Sequence, residues 1–230
     1  MRPTLAEARE RVAHLSTNLP VAVDPLAILT SENILATAKA PYIALCFRES
    51  QAWRIEEFSR AACDIFERSD VVVGISNARH AAECSAAVWY LMKLMNDSIE
   101  QGVAADLYDK LVRLQVGFKN NAEMPEAINV LTMLRKVDKE IPGFYRAYES
   151  LSEFAHPNWS GSAGVYSKRD ETTLITHFGR DIRETSYALD LGLDCLIGSL
   201  EIFEMCYNRV GDLLRAFTDS CEKEFHPKAI

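Results

Sequence analysis

The residues best suited to chemistry gather around His156. At helical spacing Tyr145, Glu149, Ser152 and His156 form one stripe, beside an apolar stripe of Phe144, Tyr148, Leu151 and Ala155. A histidine that closes a helix is favoured in its protonated form by the helix dipole, and Ser152 lies one turn back, within reach of the ring. Two roles fit this placement. His156 could act as a general base or phosphate contact at the mouth of the loop Pro157-Asn-Trp-Ser-Gly-Ser-Ala-Gly164. Alternatively it only ends the helix, with Pro157 and Asn158 supplying the turn. The candidate catalytic residue is therefore His156, and the candidate ligand contacts are Ser152, Glu149, Asn158, Trp159 and Arg180.

Other constellations carry less chemistry. Glu153-Phe-Ala-His156 has the Glu-x-x-His spacing of di-iron helix bundles, but such sites need a second helix of the same kind and two further carboxylates. None of the other four histidines has a glutamate three positions before it. His80 and Cys84 are four apart on one helix, a possible zinc pair without obvious partners, while Asn77, Arg79 and His80 read as the wet edge of that helix. No metal and no cofactor is expected. Lys168, Arg169, Arg180 and Arg183 flank the irregular loop, where they could meet an anion or simply face water. Arg9 and His14 sit on one short helix. No phosphate-binding loop, dinucleotide fingerprint, nucleophile elbow or His-Glu-x-x-His motif is present, which removes the most recognisable enzyme classes.

Composition narrows the classes further. The 230 residues are 48% hydrophobic and 25% charged, as in an ordinary globular protein, and the net charge is -8. That charge argues against DNA binding of the coat type, which needs a basic surface, but leaves room for a local basic pocket. The six cysteines form no Cys-x-x-Cys pair and fall in apolar helical stretches, the pattern of buried reduced thiols. The first ten residues are charged throughout, unlike a leader peptide, and no apolar run reaches the ~20 residues that cross a bilayer. A cytoplasmic protein without a membrane partner is expected.

The elements that must position these residues are nearly all helical. Residues 4–15 form a short helix and 18–24 a connector. Asp24-Pro25 opens a helix carrying Leu26, Leu29, Ile34 and Leu35. A helix over 41–68 follows, with Trp53, Phe58 and Phe66 as anchors. A central helix runs from about 71 to 100, where small residues at Ala81, Ala82 and Ala86 admit a close neighbour. Shorter helices span 103–118 and 125–139, the latter opened by Pro125. The loop 157–179 is irregular, with a small hairpin between Val165 and His177. A heptad-like seam from Ile182 through Leu196, Phe203, Val210 and Phe217 to Cys221 marks a long final helix. The expected fold is an all-α bundle in one domain, and the length of the last seam suggests a two-fold homodimer.

The run Tyr148-Glu-Ser-Leu-Ser-Glu-Phe-Ala-His-Pro-Asn158, continued by Trp159-Ser-Gly161, resembles a segment of bacterial helical proteins grouped with the HEPN superfamily. The resemblance is close over these residues and looser over the all-helical layout. It implies a helical bundle, frequent dimerisation, and in active members metal-independent RNA cleavage by an Arg and a His separated by four to six intervening residues. Here the corresponding slots before His156 hold Glu149, Ser150 and Leu151, while Arg9 and His14 have the spacing elsewhere. The resemblance therefore implies a HEPN-like protein that binds RNA or a nucleotide with weak or lost ribonuclease activity. The alternative is a non-catalytic helical module for protein–protein interaction.

Overall fold

Thr4 starts the first helix by accepting the Glu7 amide on its hydroxyl at 3.2 Å, and α1 runs over Leu5–Thr17 with Ala8 and Val12 buried. In the computed structural model, which describes residues 3–225, α2 spans Ala40–Glu67, α3 Val71–Glu100, α4 Leu107–Val116, α5 Val130–Glu140 and α6 Phe144–Ala155. After the short α7 (Ala163–Tyr166), β1 (Ser167–Arg169) and β2 (Thr176–Phe178) pair antiparallel, and α8 (Ser186–Phe225) follows. The fold is thus an all-α bundle with long central and C-terminal helices and one small hairpin, as the periodicity predicts. The Val71-Val-Val73 run is helical because the small buried face of Ala78, Ala81, Ala82 and Ala86 continues it without a break. Among the described residues no helix is long and apolar enough to cross a membrane.

Three expectations are corrected. Asp24-Pro25 opens only a 3-10 turn over Pro25–Ala27, and the expected helix through Leu35 is absent. Instead Leu29 and Leu35 form an isolated bridge around Asn33, whose φ is 60°. The segment is fastened by α8: Asp219 accepts the Ser31 amide, Glu222 the Thr37 and Ala38 amides and the Thr37 hydroxyl, and Arg215 donates to Asn33. Asp219 and Glu222 thus take backbone donors that a helix would have used internally. Likewise Pro125 opens no helix. Phe118 pairs with the following strand-like stretch, Arg113 donates to the Glu126 carbonyl at 2.8 Å, and Asn129 accepts the Leu131 amide at the true helix start. Trp53 is 51% exposed rather than a core anchor, its indole N–H donating to the Pro20 carbonyl at 2.7 Å.

The described residues fall into two compact units, one drawn from 3–18, 54–84 and 138–201 and the other from 19–53, 85–137 and 202–225. The helices α2, α3 and α8 each contribute residues to both. In the first unit Phe66, 3% exposed, is gripped by two glycines. A Cβ on Gly74 would lie 2.4 Å from the ring, and one on Gly192 would lie 2.6 Å from it. In the second unit the Glu49 carboxylate is nearly enclosed. One oxygen takes two donors from Arg48, and the other takes the Tyr207 hydroxyl at 2.6 Å, while the guanidinium lies 4.3 Å over the Tyr207 ring. The seam of α8 is largely spent inside the chain, with Leu193, Leu196, Leu200, Phe203, Val210, Phe217 and Cys221 all buried.

The thiols behave as the apolar surroundings dictate. Burial pushes Cys63 up to about 11, and Cys84, Cys195 and Cys221 up to about 12. Tyr207 is likewise pushed up to about 12, first by burial and then by its hydrogen bond to Glu49. In the unfolded chain these groups ionise near ~8.5–10, so the folded state retains protons that the unfolded state has lost. Their contribution is complete below about pH 8.5 and is expected to disappear as pH rises toward about 12. Urea midpoints measured at pH 7, 9 and 10.5 should therefore fall steadily. A midpoint independent of pH across that range would contradict the buried placement.

Candidate functional site

The helix that presents the candidate site is set by its start. Asp138 accepts the amides of Gly143 and Tyr145, each at 3.0 Å, and Gly143 takes a φ of +96° that suits glycine. Tyr148 and Leu151 are then buried, and His156 closes the helix in an extended conformation, φ −86° and ψ 149°. The following proline favours that backbone. The His156 amide donates to the Ser152 carbonyl at 3.1 Å, but its ring is exposed and makes no hydrogen bond among the described residues.

Ser152 does not serve His156, contrary to the expectation. Its hydroxyl donates to the Tyr148 carbonyl and accepts Arg79 Nε, both at 3.0 Å. Arg79 Nη2 also donates to the Tyr148 hydroxyl at 2.5 Å and lies 3.3 Å from Glu83, which accepts the same hydroxyl at 2.9 Å. The guanidinium sits 4.9 Å over the Tyr148 ring. Burial and then the Glu83 charge push the Tyr148 phenol up, so it remains a neutral relay between the two charges. Arg79 is therefore the centre of a half-buried network rather than a wet edge. The four-residue step from Arg79 to Glu83 on α3 was the visible signal for it.

Past His156 the chain is shaped by side chains. Asn158 donates to Glu153 at 2.6 Å, and its carbonyl oxygen accepts the Gly161 amide at 3.1 Å. Trp159, 66% exposed, rests against Gly164, where an added Cβ would lie 2.9 Å from the ring. Arg183 donates to the Ser167 carbonyl at 2.6 Å and lies 5.8 Å from the Trp159 ring centroid. In the hairpin Lys168 faces His177, and the turn is closed by Asp170. Hydrogen bonds from the Thr173 amide and hydroxyl and from the Thr172 amide hold the Asp170 carboxyl below its ordinary range.

These pieces bound a cleft of about 360 Å³, lined by Glu153, Phe154, Trp159, Glu184, Tyr187 and Leu191 among others. Of the candidate residues, only Trp159 lines it directly, with Asn158 fixing Glu153 behind it. His156, Ser152, Glu149 and Arg180 do not line it. Glu149 is exposed and makes no hydrogen bond or ion pair among the described residues, and Arg180, also exposed, pairs with Asp70 at 3.5 Å. Glu153, Glu184 and Tyr187 were not selected from sequence. Glu153 shows only as part of a spacing motif, and the other two lie beyond the hairpin, where nothing in the sequence links them to Trp159.

The metal spacings lead nowhere in particular. Glu153 is engaged by Asn158, and no group of three or more His, Cys, Asp or Glu fit to hold an ion occurs among the described residues. His80 Nδ1 lies 2.6 Å from the Ser76 carbonyl, so that nitrogen carries the proton, and the ring stacks on Phe58 at 4.7 Å. Arg9 is held by Asp64 at 3.1 Å and Glu67 at 2.7 Å and is no partner for His14.

The contrast between His156 and Asn158 is testable. His156→Ala keeps the closing backbone bond and should shift stability by less than about 0.5 kcal/mol. Asn158→Ala removes two hydrogen bonds and should cost about 1 kcal/mol. Thermal melts of both variants check the order, and a destabilised His156→Ala beside a silent Asn158→Ala would refute it. No family model matches the chain, and no curated protein or solved structure matches it either.

Proposed function

We propose that the protein is a non-catalytic interaction module whose binding surface is the segment 157–187. One observation carries this reading: Trp159, Tyr166, Leu174, Ile175, Phe178 and Tyr187 all stand 41–77% exposed on that segment. Large apolar side chains are seldom left to water in such number on one short stretch unless a partner covers them. The same surroundings argue against catalysis. Among the described residues the His156 ring has no acid, base or arginine partner, and the nearby Arg79 is committed to Tyr148, Ser152 and Glu83.

The HEPN-like resemblance enters this reading as ancestry, that of a helical scaffold kept without its Arg–His cleavage pair. A two-fold homodimer belongs to it too. Because the α8 seam is buried within the chain, the second copy would meet the 157–187 surface. A second reading, binding of RNA or a nucleotide, is favoured by the hairpin. There Lys168, Arg169 and His177 stand beside the exposed Phe178, a pairing of cations and a stacking ring suited to single strands.

A photo-crosslinking residue at position 178 tests the module directly. A discrete protein adduct is expected there in the source cells, lost with Trp159→Ala and absent from the exposed control position Asp212. Light scattering assigns a self-adduct to the dimer. A fluorescent single-stranded RNA that binds with strong salt dependence, with no protein adduct at 178, would replace the module by the second reading. RNA cleavage abolished by His156→Ala would overturn the non-catalytic assignment.

A further inference from the structure

The cleft beside Trp159 differs in character from the hairpin next to it. Its lining includes two carboxylates, Glu153 and Glu184, and no lysine, arginine or histidine. Each carboxylate is already oriented. Glu153 accepts Asn158 Nδ2 at 2.6 Å, Glu184 accepts the Ser186 hydroxyl at 2.8 Å, and the other oxygen of each makes no hydrogen bond among the described residues. The same lining carries two exposed rings, Trp159 at 66% and Tyr187 at 75%, together with the apolar side chains of Phe154, Val165, Ala188 and Leu191. Arg183 does not line the cleft; it donates to the Ser167 carbonyl at 2.6 Å and lies over the Trp159 ring at 5.8 Å from its centroid, so an incoming cation would use the rest of the aromatic surface.

Resting on the module reading, we propose that this cleft holds an ammonium group carried on an apolar stem, such as a lysine side chain. Three features converge on that chemistry. Aromatic faces attract a cation and tolerate its alkyl stem, the open carboxylate oxygens accept its N–H donors, and a phosphate or carboxylate ligand would be repelled by both glutamates. The size agrees, since about 360 Å³ lies at the low end of the ~300–1,000 Å³ of small-ligand sites. Gly164 seats Trp159 at a distance no other residue would permit, because a Cβ there would come within 2.9 Å of the ring. The same cleft gives the partner of the module a point of electrostatic selection that the apolar patch around it lacks.

Two probes separate the sources of such a group: acetyl-Gly-Lys-Gly-amide for a lysine in a partner chain, and butylammonium chloride for a free amine. Binding is followed at the Trp159 indole N–H resonance of the full chain, identified by its loss in Trp159→Phe. Saturable binding of at least one probe is expected. The norleucine analogue of the peptide should bind at least tenfold more weakly, and Glu153→Gln with Glu184→Gln should weaken the charged probe at least tenfold. Tighter binding of the peptide assigns the site to a partner's lysine, and equal or tighter binding of butylammonium assigns it to a free amine.

The inference is overturned if neither probe saturates, if the norleucine peptide binds equally well, or if adenosine monophosphate binds the cleft in their place. Circular dichroism confirms that the double variant is folded. Should it not be, Tyr187→Ala, on a side chain 75% exposed, carries the same comparison. An adduct at position 178 without ammonium binding removes this inference and leaves the module. Ammonium binding without any adduct removes the module and leaves a free-amine site.

Discussion

Phe66→Ala is expected to lower the unfolding free energy by about 3–5 kcal/mol, the range for emptying a buried aromatic site that cannot collapse. The reason is the clamp. Gly74 and Gly192 approach the ring so closely that their absent side chains define its slot, with Ile75 beside Gly192. Filling the slot from the other side is expected to hurt as well. Alanine in place of a helical glycine gains about 1 kcal/mol of propensity, but overpacking a rigid site costs about 1–3 kcal/mol. Both glycines meet the Cε1 and Cζ atoms of the Phe66 ring, so a methyl group on residue 192 enters an edge that Gly74 already crowds. Gly192→Ala should therefore be destabilising, and Gly192→Ala combined with Phe66→Leu should recover part of the loss. Urea denaturation of the three variants decides this. A stabilised Gly192→Ala would mean that this edge has room for the methyl group.

The second large effect is expected at Arg48. Its side chain and that of Glu49 are 15% and 12% exposed, and the Glu49 carboxylate has all its partners inside the protein. Arg48→Ala strands a carboxylate away from water and should cost about 3–5 kcal/mol, whereas replacing both members by apolar residues should cost far less. The pair Arg48→Met and Glu49→Leu, measured singly and together, gives the coupling. A double variant as unstable as Arg48→Ala alone would show that the cost lies in packing rather than in the orphaned charge. Tyr207→Phe should remove one hydrogen bond to Glu49 and cost about 1–2 kcal/mol.

The long helices were legible because nothing distant is needed to make them. The small-residue face of α3 and the three-and-four spacing of α8 are local facts, and each produced the element it announced. The stretch 25–35 failed for the opposite reason. Leu26, Leu29, Ile34 and Leu35 carry an acceptable helical spacing, yet Asp219 takes the Ser31 amide between them, Arg215 holds the Asn33 side chain, and Glu222 takes the Thr37 and Ala38 amides just beyond. The candidate site divided along the same line. Asn158 and Trp159 were visible because their roles are set within a few residues of themselves. Ser152 was assigned to the wrong neighbour because Arg79 reaches it from a sequence separation of 73. Glu184 and Tyr187 stayed hidden because only the fold carries them back across the hairpin to Glu153 and Trp159.

The fastening of residues 31–38 by α8 also orders events in time. Ser31, Asn33, Thr37 and Ala38 are bound by residues 182–188 positions further along the chain. During synthesis this early segment has no partner until almost all of α8 has been made, although α2 and α3 can already form from local contacts. Its closure must await a loop of 182–188 residues, and contacts of such high order form late. A growing chain thus carries Ile28, which the finished fold buries, on a lead not yet fastened by α8, the period in which such apolar surface is most open to chaperones or to misassociation.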